Sequence, residues 1–201
     1  MKLKFTLFII SVFVLTSCKN KGTLNQDNNY EKVLVDRENN AAKNQTEVTG
    51  TLVDEILFEV KAESKDFEDG IQPWASIERP EVDLPNLIDK DKIMISQNNV
   101  TIIIDYPLTN KYQFDLKSEK GFTREMLLTE ISKHYFKLYE EEENSATVKT
   151  LPMEKRTMYN RNQTNGKYGI WGHDIADLVL TDIQVYKDND EKIILTLGID
   201  S

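Results

Sequence analysis

Ten consecutive residues gather more chemically useful side chains than any other stretch of this chain: Asn165-Gly166-Lys167-Tyr168-Gly169-Ile170-Trp171-Gly172-His173-Asp174. Arg156 and Arg161 stand just before them. Glycines let a backbone approach a neighbour closely or take positive φ, so the run reads as a shaped loop. In one reading it presents Trp171 and His173 to a ligand, with Tyr168 and Asp174 beside them and Arg161 as an anion contact. In the other, Trp171 plugs the end of the core and His173 hydrogen-bonds a carbonyl. Asp174 can cap a short turn over 175–178 in either case. One acid beside one histidine is not a catalytic set, because the spacing places no nucleophile next to them.

Other signatures of chemistry are missing from the sequence. It holds no phosphate-cradling glycine loop, no histidine pair at i, i+4, no cysteine cluster and no Gly-x-Ser-x-Gly elbow. The two histidines could form a zinc site only if His134, His173 and a carboxylate converged, which the spacing does not suggest. No catalytic residue, metal ligand or cofactor is therefore assigned. Asp188-Asn189-Asp190 lacks the central Gly and distal Glu of a calcium loop and reads as a hairpin turn. His134 falls on the apolar face of a helix, where a hydrogen-bonded core or boundary role is expected. Trp74, after Pro73, either covers the core or lines a groove.

The start of the chain carries a different chemistry. Lys2 and Lys4 precede a mostly apolar stretch from Phe5 to Leu15, with no acid among them. Eleven helical residues rise only about 16 Å, against a hydrocarbon core of about 30 Å. That is too short to span a bilayer and has the parts of an export signal. The segment closes on Leu15-Thr16-Ser17-Cys18, which resembles the lipobox of bacterial lipoproteins. The resemblance implies a diacylglyceryl group on the Cys18 sulfur, cleavage before Cys18 and an acylated new terminus, and so a membrane as partner through that lipid. Cys18 is the only cysteine; a lone thiol outside the cytoplasm can form no internal disulfide, and thioether linkage removes it. In proteobacterial lipoproteins an Asp after the cysteine favours inner-membrane retention. Lys19 stands there instead, which favours the outer membrane where one exists.

The chain of 201 residues has a formal charge of −9, and loss of the leader makes it two charges more negative. That balance argues against nucleic acid, which needs a basic face, and is compatible with solubility or a cationic partner. Residues 18–50 are mostly polar, with Val33-Leu34-Val35 as the main apolar cluster, and cannot offset their chain entropy by burial, so a flexible tether is expected. Residues 51–201 then form one domain.

Within that domain, alternating apolar residues predict strands over 52–61, 93–95, 100–106 and 112–116, the last three read as a meander. Ile103 on the second face of its strand suggests a central position. Residues 62–90, with Pro73, Pro80 and Pro85, read as a long ordered loop or short turns. Leu127, Ile131, His134, Tyr135 and Leu138 recur at helical spacing over 123–141, with Thr123 as N-cap. Glu140–Glu143 put four acids at the negative end of the helix dipole, which predicts fraying there. Residues 144–167 read as a loop. Val179, Thr181, Ile183 and Val185, then Ile193, Leu195, Leu197 and Ile199, predict a C-terminal hairpin. Together these give an α+β fold: a mostly antiparallel sheet, meander plus C-terminal hairpin, packed against one long helix.

The run Tyr168–Asp174 followed by Leu178-Val179-Leu180 resembles a pattern in uncharacterised small bacterial lipoproteins and secreted proteins; the resemblance implies no activity and no site residues. Two functional expectations follow. One is a membrane-anchored, extracytoplasmic, non-enzymatic binding module with a protein partner, in one form an immunity protein in the periplasm. The other is an envelope hydrolase or carbohydrate-active accessory using the Trp171–Asp174 loop.

Overall fold

The computed structural model of the chain describes Val48 and residues 50–201. The leader, Cys18 and nearly all of the tether lie outside the described residues. The expected strand over 52–61 is broken in two, β1 (Thr51–Leu57) and β2 (Val60–Lys61), with Phe58 fully buried at the bend. The stretch from 62 to 90 holds short elements: β3 (Ile71–Gln72), β4 (Ala75–Ser76) and a one-turn helix α1 (Pro80–Asp83). Pro80 opens α1, where its fixed φ and missing N–H suit the first turn.

β5 (Ile93–Ile95), β6 (Asn99–Ile104) and β7 (Tyr112–Lys117) form where the alternation predicts them, but not as a meander. β6 and β7 pair antiparallel, while β5 pairs with β8 (Phe122–Thr123). The reason is visible in β5 itself: Ile95 is buried and Ile93 is exposed, so the strand has little to bury in the main sheet. Gly121 permits the alternative pairing. Its φ is +79°, and a Cβ there would lie 2.4 Å from the Ile95 carbonyl oxygen.

Helix α2 (Arg124–Ser145) starts at the expected cap: Met126 N–H donates to Thr123 Oγ1 at 3.2 Å. It buries Leu127, Leu128, Ile131, Tyr135 and Leu138 in the same core as Ile102 and Ile104 of β6. Three polar side chains also tie it to separate segments. Ser132 Oγ donates to the Ile77 carbonyl at 2.7 Å, Tyr135 Oη to that of Tyr106 at 2.9 Å, and Arg124 to that of Ile88 at 2.8 Å. The helix does not fray at its acids; it runs through all four to Ser145.

β9 (Val179–Lys187) and β10 (Ile193–Asp200) form the C-terminal hairpin. Asp188 Oδ1 fastens its turn by accepting from the N–H groups of Asp190 and Lys192 at 2.8 and 2.9 Å. The main sheet runs β1-β9-β10-β6-β7, with β4 following β1 along the same edge of β9. Its pairs are antiparallel except β10 with β6, which is parallel and in register from Ile193↔Val100 to Thr196↔Ile103. This parallel seam joins the two hairpins, and it is what makes β6 central and buries Ile103. A bulge at Thr181 corrects the expected face of β9: Leu180, not Thr181, shares the core with Ile183 and Val185. Gly198 lies opposite, where a Cβ would fall 1.9 Å from Asp182 Oδ2.

Candidate functional site

The 165–174 loop is organised by an acid on the helix, Glu142. Its side chain has no exposed surface. Oε1 accepts from Thr164 Oγ1 at 2.6 Å and Gly166 N–H at 2.8 Å. Oε2 accepts from Tyr168 N–H at 2.7 Å and Gly169 N–H at 3.1 Å. These donors replace the water that burial removes. Burial alone would raise the carboxyl pKa, but the bonds from Thr164, Tyr168, Gly166 and Gly169 oppose that and hold it below the ordinary glutamate value. The same bonds explain why the helix persists to Ser145. Glu142 does not face the helix dipole bare, because it is already surrounded by N–H and O–H donors.

Glu141, one residue earlier, reaches the other side of the loop. It accepts from Tyr168 Oη at 2.5 Å and pairs with Lys167 at 2.8 Å. Tyr168 is therefore a buried anchor, edge-on to Tyr112 at 5.5 Å between ring centroids. Gly169 has φ +65°, and a Cβ there would meet Thr109 Oγ1 at 2.9 Å.

The second half of the loop is an aromatic cluster. Trp171 is buried and edge-on to Tyr106 and to His173, at 5.4 and 5.8 Å. His173 Nε2 lies 2.9 Å from Tyr106 Oη and 3.5 Å from Ser201 Oγ, and the His173 carbonyl accepts from Tyr139 Oη at 2.9 Å. Burial, chiefly, pushes the Tyr139 hydroxyl far above its ordinary range, so it acts as a donor. Arg161 is buried with its guanidinium 4.8 Å over the Tyr139 ring, and it donates to Thr150 Oγ1 at 2.6 Å. Its backbone pairs with Gly172. Asp174 takes two bonds from Arg156, at 2.6 and 3.2 Å. It also heads the short turn Ile175–Asp177, where Asp177 Oδ2 accepts from Asp174 N–H at 2.9 Å.

Family models, curated proteins and solved structures all lack a match to this chain. The site must therefore be read from its own geometry. Of the five candidate loop residues, Arg161, Trp171, His173 and Asp174 fall in one neighbourhood around Tyr106 and Tyr139. Tyr168 belongs to the separate Glu141–Glu142 anchor. Among the described residues no group of histidines, cysteines and acids could hold a metal ion, and no helix is long and apolar enough to cross a membrane.

Sequence reasoning missed Glu142, Tyr106 and Tyr139 as partners of the loop. The signal for Glu142 was its phase: it lies four residues after Leu138, on the buried stripe of the helix.

His134 sits at a boundary and is held by a hydrogen bond. Its ring stacks on Phe114 at 3.5 Å, and Nδ1 lies 2.6 Å from Tyr112 Oη. Burial, then the nearby Lys137, lower its pKa below the ordinary histidine value of about 6.5. Below that pH the unfolded chain takes up a proton that the folded site resists, so stability falls as pH drops from about 6.5 toward the folded pKa. His134→Phe is expected to flatten that part of the stability–pH curve, read as urea midpoints from pH 5 to 8. An unchanged slope would assign the titration elsewhere.

Trp74 lines a groove. It packs edge-on against Phe67, with ring centroids 5.4 Å apart, in an open depression of about 600 Å³ that also includes Glu68, Asp69, Ile71 and Pro73. A second depression of about 510 Å³ lies beside the start of α2, between Ile93, Lys120 and Met126.

Proposed function

We propose that this chain is a lipid-anchored, extracytoplasmic module that binds a protein partner and is not an enzyme. One observation carries the reading: a strip of exposed apolar side chains on a segment whose backbone is fastened to the domain. Val148, Leu151, Met153, Met158 and Tyr159 project into solvent, Tyr159 with 73% of its surface exposed. Beneath them, Asn165 Oδ1 accepts from the N–H groups of Thr147 and Val148 at 3.0 and 2.7 Å. Asn162 Oδ1 accepts from Leu151 N–H at 2.7 Å, and Arg156 Nε donates to the Leu151 carbonyl at 2.9 Å. Apolar surface held out on an ordered backbone is typical of interaction sites. Methionine adapts to a partner's shape, and tyrosine is enriched where proteins meet. Many polar groups of the 165–174 loop are meanwhile engaged in holding the loop itself. An immunity-type protein that neutralises an incoming toxin is one form of this reading.

The anchor rests on Leu15-Thr16-Ser17-Cys18 and the short apolar leader before it. Cys18→Ser should move the protein from the membrane to the soluble fraction, and intact mass should show added acyl chains on the wild type only. The triple variant Met153→Ser/Met158→Ser/Tyr159→Ser should keep folding stability within about 0.5 kcal/mol, because the side chains are exposed. It should lose the partner that crosslinks to the anchored wild type. A wild-type mass without acyl chains overturns the anchor, and an unaltered set of crosslinks overturns the strip.

The hydrolase reading draws on a different observation, the approach of Ser201 Oγ to His173 Nε2. At 3.5 Å it is longer than the roughly 2.6–3.2 Å of a nucleophile–base pair, and Tyr106 Oη takes the nearer position. Under that reading purified wild type hydrolyses a cell-wall glycan or ester substrate and Ser201→Ala does not. Under the binding reading neither protein hydrolyses it, and Ser201→Ala keeps the crosslinked partner.

A further inference from the structure

The groove at Phe67 and Trp74 combines two features that favour one kind of ligand. Its lining joins aromatic and apolar side chains, Phe67, Ile71, Pro73 and Trp74, to two acids, Glu68 and Asp69. Glu68 and Asp69 have no ion-pair partner among the described residues, whereas Glu63 on the same loop pairs with Lys65 at 2.8 Å. We propose that this groove binds the guanidinium or ammonium group of a basic segment on a partner protein. The proposal deepens the binding-module reading by naming the partner's chemistry at a second surface.

The ligand class follows from what each occupant would cost. An anion would meet two carboxylates. A neutral apolar group would displace water from those carboxylates and supply nothing in exchange. A cationic side chain satisfies both parts of the groove: its charge pairs with the acids, and its flat or methylene portion packs on the rings. Trp offers the strongest cation–π face of the aromatic residues, and arginine uses such faces most often. The net charge of −9 on the whole chain steers a basic segment toward this protein before contact. A volume of about 600 Å³ holds one long basic side chain with part of its neighbours.

The groove is also fixed in advance, which reduces what binding must order. The loop between β2 and β3 is closed by Ala62 N–H donating to the Gly70 carbonyl and by Gly70 N–H donating to that of Phe67, each at 2.9 Å. Gly70 turns the chain at φ +70°. Asp69 Oδ1 accepts from Ile71 N–H at 3.0 Å, which orients the carboxylate. Gln72 Nε2 donates to the Trp74 carbonyl at 2.9 Å, which holds the backbone beneath the indole.

The test uses the full mature chain in neutral detergent micelles, labelled with 5-fluorotryptophan. Its two signals are assigned with Trp74→Phe and Trp171→Phe. Hexa-arginine is titrated in while the fluorine spectrum is followed. The Trp74 signal should move saturably and the buried Trp171 signal should stay. Glu68→Gln/Asp69→Asn should weaken binding at least tenfold in this titration, and Trp74→Leu, which lacks the reporting signal, should weaken it at least tenfold when the heat of hexa-arginine binding is measured by titration calorimetry. Asp69→Asn keeps an acceptor for Ile71 N–H, so the double variant tests charge with the hairpin intact even if Trp74→Leu fails to fold. Three results would each overturn the proposal: no saturable shift, equal binding by the double variant, or a response only to neutral oligosaccharides or phosphatidylcholine vesicles. The Met153/Met158/Tyr159 triple variant should bind hexa-arginine like the wild type. Loss of the strip's partner and loss of the groove's ligand are thereby separate results.

Discussion

Glu142→Ala is expected to lower folding stability by about 4 kcal/mol, near the upper limit for single substitutions. The change removes one carboxylate and strands three backbone donors, those of Gly166, Tyr168 and Gly169, while Thr164 Oγ1 keeps the Ile170 carbonyl as an acceptor at 3.2 Å. Thr164, Tyr168 and Gly169 are buried, so water cannot easily take the vacated place. An unsatisfied buried donor costs about 1–3 kcal/mol, and partial collapse of the loop returns some of that. Glu142→Gln keeps the shape but turns an NH₂ toward backbone N–H groups, and about 2–3 kcal/mol is expected. Urea midpoints of the two variants measure both figures. A loss under about 1 kcal/mol for the alanine variant would mean that the loop does not depend on this side chain.

The same residue sets an acid limb. Its folded pKa lies below the ordinary unfolded value of about 4.3. The carboxylate therefore contributes stability that is fully present above about pH 4.3 and is lost as pH falls through the folded pKa. Glu142→Gln should remove that portion of the acid slope while leaving the His134 region nearer neutrality unchanged.

Arg156→Ala and Asp174→Ala are expected to cost about 3 kcal/mol each, because breaking one side of a mostly buried pair leaves the other charge uncompensated. The Arg156 side chain is only 7% exposed, and Asp174 bonds it through both oxygens. That pairing, before any other influence, lifts the Arg156 pKa further above its usual value. The double variant should cost well under the sum of the two, with a coupling of about 2 kcal/mol. Arg156 also holds the Leu151 and Tyr159 carbonyls, at 2.9 and 3.4 Å. Its loss should therefore speed amide exchange across 148–159 before the rest of the domain opens. Uniform exchange throughout the domain would detach the exposed strip from this ion pair.

Local pattern carried much of this fold. Thr123 as the helix cap, the alternation in β6, β7 and β10, and the turn at Asp188 all depend on residues within a few positions of one another, and each is legible in the sequence. The partner of β5 and the second partner of β10 are not. β5 looks like the first strand of a meander because Ile93-Met94-Ile95 alternates well. Whether it joins the main sheet depends on how much it can bury there, and that is decided by distant residues. The loop shows the same division. Its glycines mark it plainly in the sequence, yet the group that holds it is an acid in a run of acids. Charge counting reads Glu140–Glu143 as a single repulsive feature. Helical phase separates them, turning Glu142 inward while Glu140 stays exposed.

The parallel seam has a consequence for the order of assembly. β10 lies between β9 and β6 and follows every other strand of that sheet along the chain. A folding chain can close the β6–β7 hairpin early, but it cannot unite the two halves of the sheet before β10 joins them. Cooperative folding of the sheet is thereby postponed until β10 is available. Long-range pairings of this kind close slowly, so the rate at which β10 finds β6 sets the pace at which the whole sheet forms.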